Sequence, residues 1–75
     1  MVDIEVKSRD SRIVGGKLHL ECIVSIKGEE LLRETSSEYG RSRDDVIQLV
    51  EKFVQSLRSG LIKSGIQSRI IRSKF

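Results

Sequence analysis

The stretch VDIEVK alternates without a break, with Val2, Ile4 and Val6 on one side and Asp3, Glu5 and Lys7 on the other. A period of two is that of a strand with one face buried. SRDSRIVGG follows as a connection, and Gly15-Gly16 is its turn signal. The alternation then returns in KLHLECIVSIK. There Leu18, Leu20, Cys22, Val24 and Ile26 share one face and Lys17, His19, Glu21, Ser25 and Lys27 the other, with Ile23 as the exception. KGEE supplies a glycine-containing hairpin turn, and LLRETSSEY reads as a third strand. Its charges suit a sheet edge.

From Ser42 the period lengthens. Val46, Val50, Phe53, Val54, Leu57 and Leu61 recur at helical spacing, flanked by Ile47 and Leu49, while Gln48, Lys52, Gln55, Ser59 and Lys63 fall on the opposite face. Ser42 and Asp45 have the spacing of a capping box, and Asp44 and Asp45 suit the positive end of the helix dipole. Gly65 stands at the position of a C-terminal cap. Beyond it, Ile70-Ile71 favour a strand whose alternation is imperfect, since Ile66 and Ile70 share one parity and Ile71 and Phe75 the other. Such a segment is packed on both sides, or is added to the sheet edge or to a neighbouring subunit.

The expected fold class is therefore α+β: an antiparallel sheet of three or four strands with one amphipathic helix on one face, in the order β-β-β-α and then β. With 75 residues the chain is one small domain, residues 1–75, closed by a basic segment at 66–75. A chain of this size buries only about 60% of its unfolded surface, which makes a homodimer or another protein partner an expectation. The usual covalent and metal staples are missing. Cys22 is the single cysteine, so no internal disulfide forms, and no Cys/His cluster is placed to hold zinc. No cofactor is expected. No apolar run approaches the length needed to span a bilayer, and MVDIEVKSRD does not have the pattern of a signal peptide. These features suit a cytoplasmic protein without membrane contact.

Charge changes the picture more than composition does. Residues 1–40 carry six bases and eight acids, residues 41–75 carry eight bases and three acids, and no acid follows Lys52. A basic surface is the electrostatic footprint of a protein that neutralises phosphates. The candidate contacts with DNA or RNA are Arg41, Arg43, Arg58, Lys63, Arg69, Arg72 and Lys74. Helix ends and solvated faces also collect such residues, so charge alone does not name the partner. Aromatic platforms for bases are scarce: Tyr39, Phe53 and Phe75 are the only aromatics, and Phe53 is claimed by the helix core. Contact with the backbone of a duplex is expected over base reading. In YGRSRDD, Arg41 and Arg43 flank a helix start, but Asp44 and Asp45 occupy that end, which favours capping over anion binding.

Catalysis finds no constellation. His19 and Cys22 point to opposite faces of one strand, His19 toward a surface partner such as a carboxylate and Cys22 toward the core. The serines read as solvated surface, and neither Glu29-Glu30 nor Asp44-Asp45 forms an acid/base pair in a cleft. The expected function is a non-enzymatic basic protein that contacts nucleic-acid phosphates through its C-terminal half. The alternative is an assembly module that pairs by strand addition through its sheet edge and through Ile66, Ile70, Ile71 and Phe75.

Overall fold

A computed structural model describes residues 1–12, 18–36 and 40–74. The order is β1 (Val2–Arg12), β2 (Leu18–Ile26), β3 (Glu29–Thr35), α1 (Arg43–Lys63) and β4 (Ser68–Lys74). The strands form one sheet in the order β3-β2-β1-β4, with α1 on one face, so the fold is α+β as the patterning predicts. Gly15-Gly16, Tyr39 and Phe75 lie outside the described residues.

Topology follows from chain direction. β1 and β2 are antiparallel, and so are β2 and β3, which leaves β3 running the same way as β1. A 21-residue helix spans about 31 Å, close to the length of the sheet. It carries the chain back to the start of β1, and β4 therefore enters parallel to β1. This parallel pair is the departure from an all-antiparallel sheet.

The two-residue turn at Lys27-Gly28 has positive φ at both positions (53° and 80°), as a type I′ hairpin requires. β1 extends through SRDSR, which the loss of hydrophobic alternation had marked as a connection. Pairing from Ser8↔Cys22 to Arg12↔Leu18 keeps that segment extended. β3 spans Glu29–Thr35; of the expected SSEY, Ser36 follows the strand and residues 37–39 lie outside the described residues. A bulge between Val24 and Ser25 shifts the register of β3, as edge strands commonly do.

From Ile4 to Asp10 in β1, Leu20 to Ile26 in β2 and Ser68 to Arg72 in β4, the even-numbered residues lie on the helix side of the sheet. Ile4, Val6, Leu20, Cys22 and Val24 from the sheet meet Val46, Val50 and Val54 from α1, and Ile26, Leu32, Phe53, Leu57, Leu61 and Ile70 close the margin. The helix start is fixed by a reciprocal capping box: Asp45 N–H donates to Ser42 Oγ at 3.1 Å and Ser42 N–H to Asp45 Oδ2 at 3.2 Å. At its end Gly65 takes φ +75°, and its N–H donates to Ile62 O at 2.9 Å.

Two polar residues depart from the surface roles that the alternation assigns them. His19 is buried, and its Nδ1 lies 2.9 Å from Ser36 O rather than beside a carboxylate. Ser36 is buried too, and its Oγ accepts the Leu20 N–H at 2.8 Å. Together they lock the exit of β3 against β2, a contact across 16 to 17 residues that no local pattern reveals.

Candidate nucleic-acid interface

The seven cations singled out from the sequence divide into two groups. Four arginines are tied to carboxylates of the same chain. Arg41 pairs with Glu34, and Arg43, the first residue of α1, pairs with Asp10 of β1. Arg69 donates through Nε to Asp3 Oδ1 at 2.6 Å and through Nη2 to Oδ2 at 3.3 Å. Arg72 grips Glu51 of α1 with both terminal nitrogens, at 2.6 and 3.0 Å. The hydrogen bond from Arg69 lowers the Asp3 carboxyl below its ordinary pKa, and that from Arg43 does the same for Asp10.

These pairs have a structural logic. Asp3↔Arg69 are register partners across β1 and β4, so their side chains emerge side by side on the face away from the helix. Arg72 faces the other way, toward α1, and meets Glu51 there. Exposed pairs of this kind contribute little to stability, because water and salt screen them, so a phosphate can compete for the guanidinium. The carboxylate stays beside it, however, and the local charge sums to near zero.

Arg58 and Lys63 belong to the second group. Both are exposed on α1, and among the described residues neither has an ion-pair partner. Lys74 ends β4 beside Asp10, whose pKa its charge helps to lower. Lys52, which is not among the seven, joins this group on geometry. Lys52, Gln55, Ser56, Ser59 and Lys63 line one shallow groove along the solvent side of α1, with Gly60 as a gap and Glu51 at the edge. Their spacing of three and four residues already placed them on one helix face.

The four residues proposed for assembly do not form one patch. Ile70 is part of the core margin facing α1, Ile71 is exposed on the opposite face of the sheet, and Ile66 is exposed in the turn after α1. Phe75 lies outside the described residues.

A recess of about 200 Å³ opens between α1 and the sheet, with Cys22 in its wall and Arg43, Glu51 and Arg72 around it. Burial pushes the Cys22 thiol above its ordinary pKa, which keeps it protonated and unreactive. Among the described residues no group of three His, Cys, Asp or Glu side chains is placed to hold a metal ion, and no helix is long and apolar enough to cross a membrane. No protein-family model, curated protein or solved structure matches the chain.

Proposed function

We propose that this protein is a non-enzymatic nucleic-acid-binding module whose contact surface is the solvent face and C-terminal half of α1. One observation carries the reading: Lys52, Arg58 and Lys63 are exposed on a stretch of chain with no acid after Glu51, and none of them makes an ion pair with a carboxylate of the described residues, Glu51 beside Lys52 being held by Arg72. Gln55, Ser56 and Ser59 stand between the lysines and supply neutral donors. Lysine, glutamine and serine side chains are ordinary phosphate ligands, and such contacts carry no sequence information. Phe53 is half-buried in the core and leaves no stacking platform on this face. Binding that is tolerant of sequence and sensitive to salt follows. Arg41, Arg43, Arg69, Arg72 and Lys74 contribute a weaker outer field, each offset by a neighbouring acid.

The test compares two double substitutions by fluorescence anisotropy on random duplex DNA and matched RNA across a salt series. Three phosphates neutralised on duplex DNA correspond to a slope of log K on log salt of about −3. Lys52→Gln with Lys63→Gln is expected to reduce that slope by about two, while Arg41→Gln with Arg69→Gln changes it little. A larger loss from the second pair, or no binding at low salt by the unaltered protein, overturns the reading.

Assembly is the second reading, favoured by the position of β4 at the sheet edge with Ile71 exposed on the face away from the helix. Sedimentation velocity on the same samples separates the two readings, since an assembly module self-associates or captures a partner without nucleic acid.

A further inference from the structure

At one pole of the molecule the start of β1, the start of β4 and the last turns of α1 converge. Val2 and Ser68 are register partners, and Val2 N–H donates to Gln67 O at 2.9 Å. Above this junction lies an open recess of about 300 Å³ lined by Met1, Arg58, Ile62, Gln67 and Ser68. Unlike the recess beside Cys22 and the groove along α1, both of which have Glu51 in their lining, this one contains no carboxylate.

Three features of the recess lack an explanation within the chain. Arg58 is a cation without a carboxylate among the described residues. The Ser68 hydroxyl is buried with no hydrogen-bond partner, a condition that costs free energy unless something supplies an acceptor. Ile62 and Met1 are 63% and 78% exposed, the two largest exposures among the chain's described large apolar residues. A single water answers the hydroxyl alone. A ligand with one anionic group and an adjoining apolar portion answers all three.

We propose that this recess is a phosphate site: Arg58 supplies the charge, Ser68 and the Gln67 amide supply neutral donors, and Ile62 and Met1 pack against the sugar of the same nucleotide. The proposal rests on the nucleic-acid reading and assigns one backbone phosphate to a defined place. One guanidinium balances one phosphodiester, and its planar fork suits two oxygens of that group. Ser68 lines the recess with its hydroxyl buried in the unliganded chain, and on binding the hydroxyl turns toward the phosphate by rotation about χ1. On a helix with 3.6 residues per turn, Arg58 lies about 120° round from Lys52. The recess therefore continues the basic face of α1 around its flank, and a strand following that face reaches it.

Two variants test the site because they separate ligand from fold. In amide NMR titrations with inorganic phosphate, the shifts are expected to centre on Arg58, Gln67 and Ser68. Arg58→Gln is expected to weaken phosphate binding about tenfold, the loss of one charge-assisted hydrogen bond. Ser68→Ala is expected to weaken it by a smaller factor and yet raise the melting temperature by about 4 °C, because it removes a buried unpaired hydroxyl. A lower melting temperature for Ser68→Ala, or phosphate shifts that lie elsewhere or are absent, overturns the site. If Arg58→Gln leaves nucleic-acid affinity intact while Lys52→Gln with Lys63→Gln abolishes it, the recess is refuted and the α1 interface stands. Phosphate bound in the recess with no nucleic-acid binding overturns the assigned ligand together with the interface.

Discussion

Val54→Ala probes how the helix is held on the sheet. Val46, Val50 and Val54 are the fully or nearly fully buried residues of α1, at 0%, 2% and 0% exposure, so a narrow seam of three small side chains docks a 21-residue helix. Removing two methyl-sized groups from Val54 forfeits about 1.6 kcal/mol of transfer free energy, and the space left behind adds about 1 kcal/mol. The expected loss is about 2–3 kcal/mol. A domain of this length has a total stability of about 4–11 kcal/mol, so the variant remains folded but loses a large share of its margin. Tryptophan is absent, so helix content by circular dichroism is the natural probe in urea denaturation. With a slope near the low end for small proteins, about 1 kcal/mol per molar, the midpoint falls by about 2 M. Ile62→Ala is the control: Ile62 lies on the same helix at 63% exposure and is expected to cost less than about 0.5 kcal/mol. Equal effects of the two substitutions, or a loss below about 0.5 kcal/mol for Val54→Ala, refute the docking of α1 through its valine seam.

Gly60 lies within α1 with open space where a Cβ would project, so Gly60→Ala is expected to stabilise the protein by about 1 kcal/mol in thermal melts. A decrease shows that something occupies that notch in solution. The Asp3 carboxyl has its folded pKa held below the ordinary value by the Arg69 hydrogen bond. A depressed folded pKa gives a contribution to stability that is present above the unfolded pKa and lost as the pH falls through the folded one, so this pair loses its effect only in acid, below about pH 4. In a carboxyl NMR titration Arg69→Gln is expected to move Asp3 back up toward the ordinary value, and an unmoved titration rules out the pair.

Much of the fold is legible in local pattern. Alternation places Val2, Ile4 and Val6 on one face of β1 and Leu20, Cys22 and Val24 on one face of β2 because successive side chains on a strand point in opposite directions wherever that strand lies. The helix is bounded by Ser42, Asp45 and Gly65, whose roles depend on backbone within a few residues. Failures occur where the deciding partner is remote. Ser8 to Arg12 carry no hydrophobic alternation and are extended because β2 lies beside them. His19 and Ser36 are polar by identity and buried because the end of β3 folds over β2.

The candidate site divides along the same line. That positive charge accumulates after residue 40, and that Lys52, Gln55, Ser59 and Lys63 share a helix face, can be read along the chain, since both depend only on composition and helical period. Which cations keep a free charge depends on contacts between distant segments of the chain. Asp3 and Arg69 are 66 residues apart, and Asp10 and Arg43 are 33 apart. Their meeting depends on β4 lying parallel beside β1 and on α1 beginning over the far end of that strand. Coulomb attraction between exposed groups acts over a few ångströms before water and salt screen it. Charge counted along the chain therefore becomes charge available to a partner only after the strand order has set who stands beside whom.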